Sequence, residues 1–279
     1  MIGADLALLA VAAVAAGALN AIAGGGSFLT FPALVAVGVP PIAANATSAM
    51  AVSPGYLGST LGFRAELAQL PAQRLWREAL LAAGGGLVGA ALLLVTPAST
   101  FRALVPWLLL FATALFALAP HLLWWRARST ASIGAGYAQP AAAGTPPPAA
   151  LACAAPTSTA PPSPWWQPLG LFAVSVYGGY FNGGLGILLM ALYALAGEPR
   201  VHTANALKNL NSLVLSLLSV AAFALAGVIV WPYAVLMMVA ATAGGYVGAR
   251  LAQRLPARTV RGVVVATGVA MTAVFFARS

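Results

Sequence analysis

The sequence predicts an all-α fold: a polytopic membrane helix bundle of about eight helices, built from two homologous halves, with a glycine-interrupted first helix in each half. Three observations predict this fold class. Of the 279 residues, 61% are hydrophobic and 6% are charged, whereas an average soluble domain is about 25% charged. Apolar runs long enough to cross a bilayer recur along the chain. The second half of the chain repeats the polar and glycine pattern of the first.

An apolar run of about 18 residues or more can cross the hydrocarbon core of a bilayer as one helix. The runs of this length lie, to within a few residues, at 5–37, 43–63, 77–97, 102–125, 166–197, 203–227, 231–250 and 259–277. The first run carries Asp5 where a secretory signal has positive charge. We therefore expect it to remain as a membrane segment rather than to be cleaved.

Residues 127–164 form a long stretch that is rich in proline, alanine, serine and threonine. Proline removes a backbone donor and interrupts helices, so we expect a disordered or extended linker here. The predicted organisation is therefore a first membrane repeat of about four helices at 1–126, the linker at 127–164, and a second membrane repeat of about four helices at 165–279.

The two halves align without gaps when the second is shifted by 160 residues. The matches fall on glycine, asparagine and phenylalanine as well as on the abundant alanine and leucine, which indicates a duplication. The matched pairs include Gly24 and Gly184, Gly26 and Gly186, Asn45 and Asn205, Phe63 and Phe223, and Gly84-Gly85 and Gly244-Gly245.

Glycine runs interrupt the first apolar segment of each half, in "NAIAGGGSFLTFP" at 20–32 and "NGGLGIL" at 182–188. Each of these segments has about 32 residues, which would be about 48 Å long as one straight helix and so longer than the bilayer core. We expect each to break at its glycines. Glycine-interrupted segments at corresponding places in two halves indicate the binding site of a secondary transporter.

A break exposes the N–H groups at the start of the following half-helix, and these groups favour an anion. The alternative is that small residues only let helices pack closely. We expect this packing role for Gly84–Gly86 and for "GGYVG" at 244–248.

Polar residues cluster in the second segment of each half, in "NATSAMAVS" at 45–53 and "NALKNLNS" at 205–212. Lys208, Asn211 and Ser212 share one helix face because they are spaced i, i+3 and i+4. A lysine within a membrane segment costs about 2.5 to 3.5 kcal/mol and by default indicates a functional site. The alternative is that Lys208 extends its ammonium group to the membrane interface.

The candidate site therefore contains glycine backbone donors, hydroxyl and amide side chains, and one positive charge. The candidate substrate-binding residues are Gly24, Gly25, Gly26, Ser27, Asn45, Thr47, Ser48, Gly183, Gly184, Gly186, Asn205, Lys208, Asn209, Asn211 and Ser212. No catalytic residue, metal ligand or cofactor is expected.

The composition argues against other classes of function. The net charge of +9 comes mainly from residues between or at the ends of apolar runs, as in membrane proteins, so we expect no nucleic acid partner. No nucleophile with a base is evident in the bundle, so we expect no enzyme. The four acidic residues lie near segment ends or in loops, so no carboxylate is expected deep in the bundle. Proton coupling through His202 stays open.

Several motifs resemble the TauE/SafE sulfite exporter family, also called the toluene sulfonate uptake permease family, of bacterial membrane anion transporters. They are "AGGGSFLTFPALVAVGVPPIAANATS", "GYFNGGLGIL", "HTANALKNLNS", "FALAGVIVWPYA" and "GGYVGARLAQRLP". The resemblance implies a multi-pass permease of seven or eight helices that moves small anions such as sulfite, sulfoacetate or other organosulfonates. Two features depart from the family pattern: Leu192 stands at the position that corresponds to Pro32, and the linker is longer.

The expected function is therefore a permease of the bacterial inner membrane that exports sulfite or an organosulfonate by alternating access between two repeats. Its expected partners are the anion and the lipid bilayer, and a homo-oligomer stays open. The alternative is a membrane scaffold or assembly protein without transport activity. The arginines of the two halves do not agree on one membrane orientation, so an inverted arrangement of the halves also stays open.

Overall fold

A computed structural model describes residues 2–23, 25–114 and 164–252, and isolated positions from 262 to 273. Within these residues the chain is helical, without strands, and the all-α prediction is confirmed. Gly24, nearly all of the predicted linker, and most of the apolar run at 259–277 lie outside the described residues.

The described helices, in chain order, follow the predicted apolar runs. They are α1 (Ile2–Ala23), α2 (Ser27–Ala36), α3 (Pro41–Gly62), α4 (Arg64–Leu67), α5 (Ala72–Val95), α6 (Ala98–Ala114), α7 (Gln167–Tyr180), α8 (Leu185–Ala196), α9 (Val201–Leu225) and α10 (Trp231–Ala252).

Both long apolar runs break at their glycines, as predicted. The run at 5–37 forms α1 and α2, and the run at 166–197 forms α7 and α8. At the second break Gly184 has a φ of +75°, a conformation that residues with a β-carbon avoid. Leu192 therefore does not abolish the second break, because the glycine that turns the chain lies before α8 begins.

Helix α5 begins five residues before the predicted run. Pro71 is the residue before α5, and Pro41 is the first residue of α3. Proline is well tolerated at a helix start. The predicted start at 77 was wrong because polar residues of the first turns lowered the local hydropathy. The earlier start places Arg74 and Glu78 one turn apart on the same helix.

The bundle depends on close helix crossings in which backbones touch. Helix α1 packs along α10, α5 packs along α7, and α3 crosses α9. A β-carbon at Gly89 would overlap the Val176 carbonyl of α7, and one at Gly86 would lie 2.9 Å from the Leu215 β-carbon of α9. The predicted packing role is thus confirmed for Gly85 and Gly86, and for Gly244 against α1.

The described helices have the apolar surfaces of an integral membrane protein. Residues 3–20 of α1 and the full lengths of α5 and α9 are long and apolar enough to cross a membrane. Large apolar side chains such as Trp76, Leu80 and Leu225 are exposed on the outside of the bundle. Such side chains are suited to lipid rather than to water.

Candidate functional site

The two glycine breaks lie against each other in the interior of the bundle. A β-carbon at Gly184, before α8, would lie 3.4 Å from the ring of Phe28 in α2. One at Gly25, before α2, would lie 3.9 Å from the Ile187 side chain in α8. The Phe31 and Phe181 rings meet edge to face with their centroids 5.5 Å apart. The structure therefore brings the candidate residues of the two breaks together.

The half-helices α2 and α8 both begin at this contact. Their first hydrogen bonds run from the Phe28 N–H to the Gly25 oxygen at 3.1 Å, and from the Ile187 N–H to the Gly184 oxygen at 3.0 Å. The N–H groups that precede them have no partner within the helix and carry partial positive charge. Gly25, Gly26, Ser27, Gly183, Gly184 and Gly186 are all buried here.

The candidate residues of α3 already have partners within the protein. The Asn45 amide donates to the Tyr180 carbonyl at the end of α7, at 3.0 Å. The Thr47 hydroxyl accepts the Val230 N–H at 3.0 Å, and the Ser48 hydroxyl bonds to Thr30 of α2 at 2.6 Å. These three side chains hold the broken segments and the start of α10 in place.

Helix α9 carries the charged candidate, Lys208. Its side chain is 9% exposed and makes no ion pair with a carboxylate of the described residues. Lys208 lies seven residues into α9, about 10 Å along the helix axis. The burial of Lys208 among protein atoms argues against the interfacial alternative, in which the ammonium group extends to the membrane surface.

The other candidates of α9 differ in their surroundings. Asn205 is half-buried and bonds only to the Val201 carbonyl of its own helix at 3.2 Å among the described residues. Asn209 is buried, and the Ser212 hydroxyl is buried without a hydrogen-bond partner. The predicted common face of Lys208, Asn211 and Ser212 is buried as a whole.

Asn211 takes part in a polar network that contains Glu78. The Arg74 guanidinium pairs with Glu78 at 3.0 Å and with Glu198 at 2.8 Å. The Tyr193 hydroxyl donates to Glu78 at 2.5 Å, and the Asn211 amide reaches both Tyr193 and Glu78 at 2.6 and 3.2 Å. We refer to these five residues as the Glu78 network.

Glu78 lies near the start of α5, as expected of the acidic residues, but the structure buries its carboxylate, which the sequence did not predict. Glu78 is 3% exposed. It is tolerated there because Arg74 neutralises its charge and two further donors satisfy its oxygens.

Sequence reasoning missed three residues beside the breaks: Asn20, Tyr56 and Asn182. Asn182 stands between α7 and α8, is 4% exposed, and neither atom of its amide has a hydrogen-bond partner. The Tyr56 hydroxyl approaches Asn182, and the Asn20 amide oxygen is buried without a partner next to Gly26. Both asparagines stand within the glycine-run motifs, so an amide beside a glycine run was the signal that could have found them.

The bundle has membrane-length helices, and its broken apolar segments meet beside buried polar groups. These features define an integral membrane protein of the transporter class. The family model of the sulfite exporter TauE/SafE family matches residues 9–275. The chain belongs to this family.

Relatives of known name agree with this class. The probable membrane transporter protein YfcA of Escherichia coli (strain K12) is 27% identical over 282 residues, which cover 96% of this chain and 88% of that protein. A probable membrane transporter protein of Haemophilus influenzae is 26% identical, with 98% and 95% covered. The probable membrane transporter protein ORF9 of a Sinorhizobium species is 33% identical over 117 residues, which span 42% of this chain and 44% of that protein. No solved structure matches the chain.

Proposed function

We propose that this membrane transporter is a permease of the bacterial inner membrane for small anions, and that it exports sulfite or an organosulfonate such as sulfoacetate. The family description and the names of the relatives support transport. An inside-negative membrane potential favours outward movement of an anion by about 2.3 kcal/mol per charge per 100 mV. Export of this kind needs no coupling ion.

The observation that carries the proposal is the contact between the two breaks. Two half-helices begin side by side in the bundle interior, so the positive ends of both helix dipoles concentrate there. An anion at this point accepts hydrogen bonds from backbone N–H groups and from the nearby polar side chains. Gly24–Gly26, Gly183 and Gly184 would supply the backbone donors.

Lys208 is the proposed source of positive charge in the anion path. Its burial without a carboxylate partner among the described residues is costly unless the protein uses the charge. Ser27, Asn205, Asn209 and Ser212 are proposed as further polar contacts along this path. Asn45, Thr47, Ser48 and Asn211 are proposed to act through the helices that they hold.

The helix contacts support two repeats that are related by an approximate two-fold axis. The first helix of each half packs against a later helix of the other half, as α1 does with α10 and α7 with α5. Helix α3 packs on α10 as α9 packs on α5. The 160-residue shift relates Ser53 to Leu213 and Tyr56 to Ser216. The 2.8 Å hydrogen bond between Ser53 and Ser216 therefore corresponds to the contact between Leu213 and Tyr56. Such repeats favour alternating access by rocking one half against the other.

Flux measurements on proteoliposomes test the proposal. Purified protein should move sulfite or sulfoacetate faster than sulfate or chloride under an imposed potential. Lys208→Ala should abolish this flux while the protein still inserts and remains folded, whereas Arg64→Ala, at an exposed position on α4, should leave the flux unchanged. Flux that persists in Lys208→Ala would remove Lys208 from the anion path, and absence of flux for every anion would refute the proposed substrate class.

A further inference from the structure

Asn182 places a buried amide donor and acceptor beside the second break. It lies two residues before Gly184, which directly precedes the 12 residues of α8, and its side chain is 4% exposed. Within the described part of the chain, neither its amide nitrogen nor its amide oxygen has a hydrogen-bond partner of standard geometry. Both atoms are unpaired, so the conclusion is the same for either orientation of the amide group.

Burial of an unpaired amide is costly, so such a group needs a further partner such as an ordered water, an ion or a bound ligand. The Tyr56 hydroxyl approaches the Asn182 amide but does not reach standard hydrogen-bond geometry with either of its polar atoms. At the other break the Asn20 amide oxygen is also buried and unpaired, against Gly26. The contact between the breaks therefore offers unpaired acceptors as well as donors.

A fully deprotonated anion can use only the donors. Its oxygens would bond to the helix N–H groups and to the Asn182 amide nitrogen, but the Asn182 oxygen would stay buried and unsatisfied. An oxyanion that still carries an O–H group can satisfy both, because its hydroxyl donates to the Asn182 oxygen. A halide ion or a sulfonate group has no such donor.

We propose that Asn182 makes this site selective for oxyanions that retain an O–H group, such as hydrogensulfite or hydrogencarbonate. The Asn182 nitrogen donates to one substrate oxygen, and the Asn182 oxygen accepts the substrate O–H. The negative charge of the substrate lies at the starts of α2 and α8. This inference rests on the proposed function, and within it favours hydrogensulfite over organosulfonates, whose sulfonate group has no O–H.

Two pairs of probes test the selectivity directly. Hydrogencarbonate and acetate carry the same charge and similar shapes, and differ by a hydroxyl in place of a methyl group. Hydrogensulfite and methanesulfinate form a second pair with the same difference. Binding to purified protein is measured by titration calorimetry, and flux is measured in proteoliposomes. The wild-type protein should prefer the hydroxyl-bearing member of each pair by about tenfold or more, as expected for an unsatisfied buried acceptor.

Asn182→Leu should remove this preference, because leucine keeps the volume and removes both polar atoms. Asn182→Ala serves as a second variant if the leucine does not fold. Thr242→Val is the matched control, because the Thr242 hydroxyl bonds to its own helix on the exposed side of α10. It should keep the full preference.

The outcomes separate the two proposals. Transport of monoanions by the wild type without preference for an O–H group would overturn the inference and leave the permease proposal intact. A preference that persists in folded Asn182 variants would also overturn the inference. If the wild type neither binds nor moves any anion, the proposed function fails and the inference fails with it.

Discussion

At the scale of single residues, Glu78 shows how a charge can lie inside this bundle. Its carboxylate accepts from Arg74, Tyr193 and Asn211, which come from three different helices. A buried ion pair contributes little net stability over an apolar core, but removing one partner leaves the other groups buried and unsatisfied. The network is therefore sensitive to the loss of any member.

We expect Glu78→Ala to lower the free energy of unfolding by about 1–3 kcal/mol, because Tyr193 would lose its buried acceptor and Arg74 would keep only Glu198. Glu78→Gln, which keeps the oxygen acceptor and loses the charge, should cost less. Thermal unfolding of the purified protein in detergent measures both. Glu66→Ala on α4 is the control for loss of a negative charge, and an equal effect of Glu66→Ala and Glu78→Ala would contradict the role of the network.

At the scale of helices, glycine has two different uses in this fold. At Gly184 it permits a positive φ that turns the chain between α7 and α8. At Gly89 and Gly179 the backbone is ordinary helix, and the absence of a β-carbon lets α5 and α7 touch. Composition does not distinguish these uses, because both positions are glycines within apolar runs.

Glycine is needed for close packing only where helices cross. Two glycine-to-alanine substitutions, one at a crossing and one away from it, should therefore change stability in opposite directions. Gly89→Ala should destabilise the protein by about 1–3 kcal/mol, because the new methyl group overlaps the Val176 carbonyl. Gly58→Ala on α3 meets nothing within 4 Å and should stabilise by about 0.5–1 kcal/mol through helix propensity. The thermal unfolding midpoint should be lower than that of the wild type for Gly89→Ala and higher for Gly58→Ala. A destabilised Gly58→Ala with a neutral Gly89→Ala would show that the α5–α7 crossing is wrong.

At the scale of the whole molecule, the Glu78 network joins the parts of the chain before and after 127–164. Arg74 and Glu78 belong to α5, whereas Glu198, Tyr193 and Asn211 belong to the later part. The network lies near the start of α5 and the end of α8, so it closes one end of the contact between the proposed repeats. Under the proposed alternating access, rocking of one repeat against the other would separate this network.

Linking the two sides of the network should therefore stop transport. Cysteines at Gln69 and Arg200, whose side chains meet at 3.4 Å beside the network, are joined by a bifunctional maleimide in a Cys153→Ser background, and flux is measured before and after linking. Flux should fall to background on linking. A pair at Trp76 and Leu80, both exposed on α5, controls for the reagent and should keep its flux. Full transport by the linked Gln69–Arg200 pair would contradict alternating access at this end.

Part of the candidate site could be predicted from local patterns. The breaks at Gly25–Gly26 and Gly183–Gly184 followed from segments too long for one crossing, and the burial of Lys208 followed from its place in an apolar helix. The environment of Asn182 and the distribution of partners among Asn45, Thr47 and Ser48 could not be predicted. Those features depend on which distant helix each side chain meets.

The sequence by itself determined the membrane class, the helical fold and the positions of the breaks, because these follow from hydropathy, segment length and backbone preference, which are local properties. Tertiary structure alone decided that the two breaks touch, that Glu78 is buried with Arg74, and that Asn182 is buried without a hydrogen bond of standard geometry to the described residues. A hydrogen bond or a steric contact between residues more than a hundred positions apart is a property of helix packing, and no local pattern encodes it.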